Sequence, residues 1–145
     1  MRYVEQTTIN RSRDRVIAKF DNADNLSKWQ EGLVSMTHLS GTPGQAGAKS
    51  RLIYQMGSRT IEMIETIEEN ALPDRFIAIY EADGMWNRNE NHFEETDEGN
   101  TEWSMLCEFR PTSLMLKVMA TILPGMFKKQ TRQNMGAFRD FVENG

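Results

Sequence analysis

Between Leu33 and Arg110 apolar and polar side chains alternate with a period of two, and turn-forming residues interrupt the pattern at short intervals. An extended chain sends successive side chains to opposite faces, so this stretch reads as a run of strands. The punctuating segments are "GTPGQAG", "MGSR", "ENALPD", "ADG" and "TDEGN". Connections this short admit only antiparallel neighbours, because a parallel crossover needs about a dozen residues or more. About six consecutive antiparallel strands are therefore expected here.

The flanks follow other rules. "YVEQTTI" alternates and predicts a first strand. Ser12 is placed to cap a helix through "RDRVIAKF", where Val16 and Phe20 share a face, and Asn25 to cap a shorter one, "LSKWQ", that carries Trp29. Beyond Pro111 the pattern turns helical as far as Val142. The expected fold is α+β in a single domain over residues 1–145. It has a curved antiparallel sheet of about seven strands, two short helices after the first strand, and one long, broken C-terminal helix.

Period two also sorts the faces. Leu52, Tyr54 and Met56 oppose Lys49, Arg51 and Gln55. Ile61, Met63 and Ile67 share a face with Glu65; Phe76, Ala78 and Tyr80 share another; Trp103, Met105, Cys107 and Phe109 oppose Glu102, Ser104 and Glu108. "WNRNENHFEE" differs, since Asn87, Asn89 and Asn91 lie on the face of Phe93. Asparagine is disfavoured in strands and costly to bury without partners. The stripe is either a polar wall of a cavity or a face turned back to solvent by an edge or bulge. Glu65 has the same two readings: an inward carboxylate suited to acid–base work, or a hairpin-end group in water.

Composition narrows the function. The chain has 145 residues, 26% charged and 39% hydrophobic, with a net charge of −4. No basic surplus is present to hold a phosphate backbone, which argues against nucleic acid. Cys107 is the only cysteine, and His38 and His92 are the only histidines, without ligand-spaced companions. "GTPGQAGAKS" ends like a phosphate loop, but Pro43 and Ala48 stand where its glycines belong. Neither a metal nor another cofactor is expected. Nothing in "MRYVEQTTIN" reads as a secretory signal, so the cytoplasm is the expected location.

The segment "KVMATILPGMFKK" is apolar between its lysines except for Thr121. Its ten residues between Lys117 and Lys128 would span roughly 15 Å as helix, half of a bilayer core of about 30 Å. No stable membrane insertion is expected, although a shallow interfacial contact fits. Pro124 and Gly125 interrupt the helix and are the expected hinge of a gate. After them Phe127, Thr131, Asn134, Phe138 and Phe141 form an apolar stripe opposite Lys128, Lys129, Arg132, Arg139 and Asp140. Ten methionines, Met115, Met119 and Met126 among them, suit a surface that adapts to apolar partners of varied shape.

From end to end the chain resembles the START-related, birch-pollen-allergen-like superfamily of helix-grip proteins (SRPBCC). It is most similar to the bacterial polyketide cyclase/dehydrase and lipid transport branch. "TTINRSRDRVIAKFDNADNLSKW" resembles the family's first strand, helix pair and tryptophan. "ETIEENALPDRFIAIYEADGMWNRNENHFEE" resembles its middle hairpins, and "ILPGMFKKQTRQNMGAFRDFVE" its closing helix. The resemblance implies a sheet gripping the C-terminal helix, with an apolar cavity between them that binds or carries lipids, hormones or aromatic polyketides. It carries no fixed catalytic set.

The first functional expectation is therefore a binding module for a small hydrophobic molecule. Trp29, Tyr54, Met56, Met63, Trp103, Met105, Met119 and Phe127 would line the wall, and Asn87, Asn89 and Asn91 would orient a polar end. The alternatives are a cyclase or dehydratase using Glu65 or Tyr54 for proton transfer, and a protein-interaction domain using the methionine-rich patch. A homodimer is compatible with each.

Overall fold

The computed structural model describes residues 1–122 and 125–145. β1 (Arg2–Ile9) is followed by α1 (Arg13–Phe20), a 3₁₀ turn (Ala23–Asn25) and α2 (Leu26–Trp29). Six strands then run in succession: β2 (Leu33–Ser40), β3 (Lys49–Met56), β4 (Arg59–Ala71), β5 (Arg75–Ala82), β6 (Met85–Glu95) and β7 (Thr101–Pro111). The chain closes with α3 (Leu114–Ile122) and α4 (Gly125–Asn144). All seven strands form one antiparallel sheet in the order β1-β7-β6-β5-β4-β3-β2, open and curved, with the long C-terminal helix of a helix-grip fold.

Local chemistry explains most boundaries. Ser12 caps α1, its hydroxyl accepting from the Arg15 amide. Asn25 departs from expectation. It makes no cap bond to α2; Asn22 caps the preceding turn through the Asp24 amide, and Asn25 is buried, donating to the Lys19 carbonyl. A 3₁₀ turn inserted before α2 moves the capping role upstream. At the β5–β6 turn Gly84 takes φ +81°, and a Cβ there would lie 3.0 Å from the Ser113 hydroxyl. The Thr112 amide donates to the Gly84 carbonyl, which ties the start of α3 to this turn.

α4 crosses the concave face of the sheet. Its innermost residues are Thr131, Met135, Phe138 and Val142, an i, i+4, i+7, i+11 stripe. Met135 and Val142 thus take the central line expected for Asn134 and Phe141, which lie half-buried on the flank. Phe141 there receives the Lys19 ammonium over its ring. The dry core sits at one end of the grip, where Ile9, Val16, Phe93, Trp103, Met135, Phe138 and Val142 pack together. Phe93 stacks on Trp103, and Phe138 meets Trp103, Trp29 and Phe20 edge-on.

The opposite end is packed differently. α3 presents Leu114, 79% exposed, and Met115, 67% exposed, outward, while Leu116, Met119 and Ala120 are half-buried. The expected hinge at Pro124 lies outside the described residues. Among the described residues no helix is long and apolar enough to cross a membrane.

Candidate functional site

Strand register arranges the concave face in cross-strand rows. Ser50, Glu65, Tyr80, Asn87 and Phe109 form one, running across β3, β4, β5, β6 and β7. Ile67, Ala78, Asn89, Cys107 and Tyr3 form the next, ending in β1. Directly opposed side chains in such rows stand roughly 5 Å apart at Cβ. Glu65 therefore lies between Ser50 and Tyr80, far from either hairpin end, and is only 8% exposed. Of its two readings the inward one holds.

The asparagine stripe also faces inward, and its three members do different work. Asn91 is buried; its amide donates to the Phe76 carbonyl at 3.2 Å and its oxygen accepts from the Trp103 indole at 3.0 Å. That residue is committed to the core. Asn87 is also buried and donates to Asn89 Oδ1 at 3.0 Å and to the Glu108 carbonyl at 3.1 Å. Asn89 stays half-buried, beside the small side chains of Ala78 and Cys107. Its Nδ2 has no partner among the described residues.

Tyr54, Met63, Tyr80, Asn89 and Met105 lie on this inner face yet keep partial solvent access. At the same time burial drives the Tyr54 and Tyr80 hydroxyls well above their usual pKa, with the Glu65 charge adding to the effect. These groups are enclosed on most sides by protein and still touch open space. Among the described residues, Arg13 Nε is the only fully enclosed side-chain polar atom without a hydrogen-bond partner, and it lies 3.8 Å from the Glu95 carboxylate. The uncommitted atoms of Glu65 and Asn89 therefore retain accessible surface. The Tyr54 hydroxyl donates to Gln30 Oε1 at 2.5 Å and closes the α2 side.

Other predicted residues fall around these groups or away from them. Phe127 packs on Phe109 with ring centroids 4.9 Å apart. Met119 is half-buried on α3, Trp29 packs edge-on against Phe138, and Trp103 is wholly enclosed in the aromatic core. Met56 is largely exposed at the β3–β4 turn. His38 is exposed on the edge strand, and His92 lies near Glu90 at 3.1 Å. Cys107 is buried, and burial pushes its thiol up to about 11, which leaves little thiolate for nucleophilic chemistry. Tyr3, not anticipated from sequence, shares a 2.6 Å hydrogen bond with Thr131 and joins β1 to α4.

A recess of about 300 Å³ opens at the sheet edge between β1 and α4. Its charged groups are already satisfied, Arg132 by Glu5 and Arg139 by Thr7 and Asp140. The inner face offers unpartnered groups at Glu65 and Asn89 and is the stronger candidate.

Glu65 sets the chemistry available there. Burial raises its pKa above the ordinary 4.5, and the Tyr80 hydroxyl offsets part of the rise. The folded chain consequently keeps this proton over a pH range where the unfolded chain has released it. Stability is lost as pH climbs from 4.5 through the raised value, and none is lost in acid where both states are protonated. Glu65→Gln should therefore melt at a higher temperature than the parent at pH 8 and at the same temperature near pH 4. A variant less stable than the parent at pH 8 would show the carboxylate to be satisfied in place.

The comparisons with known proteins agree with this architecture. The family model described as "Polyketide cyclase / dehydrase and lipid transport" matches residues 1–143. The Zhui aromatase/cyclase from Streptomyces sp. R1128 superposes with a TM-score of 0.81 at 10% identity, covering 99% of this chain and 93% of that one. A conserved protein from Geobacillus kaustophilus gives 0.81 at 12% identity, covering 99% and 96%. Ara h 8.0201 gives 0.77 at 11% identity, covering 100% and 99%. At these identities the structures share the fold and nothing further. No functionally curated protein matches the chain. With the family model matched over nearly its whole length and the helix-grip sheet closed by α4, the chain belongs to the polyketide cyclase/dehydrase and lipid transport family of SRPBCC proteins.

Proposed function

We propose that the chain, as one START-like unit over residues 1–145, binds a small and mostly apolar molecule between the sheet, α3 and the first turns of α4. The observation that carries this reading is the partial accessibility of Met63, Tyr80, Asn89 and Met105 at the centre of an otherwise enclosed face. Apolar walls with a few convergent polar groups suit such a ligand. Tyr54, Glu65 and the Asn87–Asn89 pair would orient its polar end. The exposed Leu114 and Met115 place an apolar rim on α3, beside the proposed entry.

The test is titration with an uncharged, environment-sensitive naphthylamine dye. One dye per chain should bind with enhanced fluorescence. Met63→Trp, which puts an indole into the hollow, should weaken binding by about tenfold or more, ~1.4 kcal/mol. No enhancement, or equal affinity in the Met63→Trp variant, would remove the reading.

A second reading, cyclisation or dehydration of a polyketide-like substrate, is favoured by one observation: a buried carboxyl of raised pKa beside two tyrosines. A protonated Glu65 can give a proton to a departing hydroxyl and recover one from carbon. Glu65→Gln would then abolish turnover while leaving dye binding intact.

A further inference from the structure

Charge is distributed unevenly between the two faces of the sheet. Among the described residues the titratable groups at the hollow are all acids, Glu65, Tyr54 and Tyr80 chief among them. The half-buried cations are engaged elsewhere: Arg75 with Glu69, Arg88 with Glu68, Arg13 with Asp74, and Arg139 with Thr7. His38 is in register with Ser50 but stays exposed at the rim. In the rows that carry Glu65 and Asn89 the one cationic side chain is His38 at that rim, and Arg59, which shares the face of Glu65 on β4, is exposed at the β3–β4 turn. Burying an unpaired carboxylate or phosphate costs several kcal/mol, and Glu65 would add repulsion or demand a proton.

The polar end of the hollow adds a geometric demand. The Asn87 amide nitrogen is spent on Asn89 and on the Glu108 carbonyl, which fixes its own oxygen as an acceptor. Asn89 Oδ1 is spent as well, so its nitrogen is left as a donor two residues away on the same face. A hydroxyl satisfies both, donating to Asn87 Oδ1 and accepting from Asn89 Nδ2. A carboxylate oxygen can only accept, and would set lone pair against lone pair at Asn87.

We propose that the hollow selects an uncharged, hydroxyl-bearing amphiphile and rejects carboxylates and phosphates of equal chain length, with Glu65 and the Asn87–Asn89 pair as its specificity-determining groups. This rests on the binding reading above and narrows it to a chemical class.

The experiment displaces the same uncharged dye with decan-1-ol and decanoate at pH 8. Decanol should displace it at a concentration at least about tenfold below that of decanoate. Glu65→Gln should narrow that gap, and the wild-type ratio decides the matter even if the variant folds poorly. Decanoate displacing as well as decanol would overturn the inference while leaving cavity binding standing. Displacement by neither overturns it as well. A dye that never binds would remove the binding reading itself.

Discussion

Phe138→Ala should lower the stability of the folded chain by about 3–5 kcal/mol, the usual range for deleting a fully enclosed phenylalanine. The Phe138 side chain is 0% exposed, and its ring meets Phe20, Trp29 and Trp103 at centroid distances of 5.8, 5.0 and 5.2 Å. These three partners come from α1, α2 and β7, so the ring is where the helix pair, the sheet and α4 converge. Those partners are large and mutually packed, and cannot collapse far into the space left behind. Urea denaturation should show the midpoint falling with an unchanged slope. Met126→Ala on the exposed start of α4 serves as the control and should change little. A loss below about 1 kcal/mol for Phe138→Ala would mean that the aromatic cluster repacks freely and does not anchor the grip.

The division between the aromatic core and the more open part of the inner face is only partly legible in the sequence. Alternation places Tyr80, Glu65 and the three asparagines on inward faces, because side-chain direction in a strand depends on parity alone. Their neighbours across the sheet depend on register, which alternation does not encode. β4 and β5 pair Ala71 with Arg75 at the turn, and continuing that register would set Glu65 opposite Glu81. A bulge between Ile67 and Glu69 shifts the pairing by one residue and sets Glu65 opposite Tyr80. The carboxyl thereby gains a hydroxyl neighbour in place of a like charge. Without the shift Ile67 would also turn to the outer face. Nothing in "ETIEENA" announces the extra residue, so the site's central pair cannot be read ahead of the fold. The helical stripe differs for another reason. Spacing finds Phe127, Thr131 and Phe138, but aromatic size favours Phe141 over the smaller Val142, which lies nearer the axis of contact.

The asparagine stripe separates structure from function most sharply at Asn91. Asn91→Leu keeps the side-chain volume but strands two enclosed groups, the Trp103 indole N–H and the Phe76 carbonyl. Trp103 is 1% exposed, so water cannot replace the lost acceptor. Each stranded group costs about 1–3 kcal/mol, and a total loss of about 2–6 kcal/mol is expected. Trp103→Phe alone removes the indole donor and a good deal of packing. In the double variant the asparagine oxygen and the indole N–H vanish together, so the combined loss should fall short of the sum of the single losses by about 1–2 kcal/mol. Asn89→Ala should cost less, since it strands only one N–H of Asn87, which keeps its bond to the Glu108 carbonyl, and should reduce decanol affinity, because the Asn89 amide nitrogen has no partner among the described residues. Strict additivity in the Asn91–Trp103 cycle would mean that the indole finds another acceptor. Asn91 would then be free to join Asn89 in the hollow, and the polar wall would extend one row deeper toward the aromatic core.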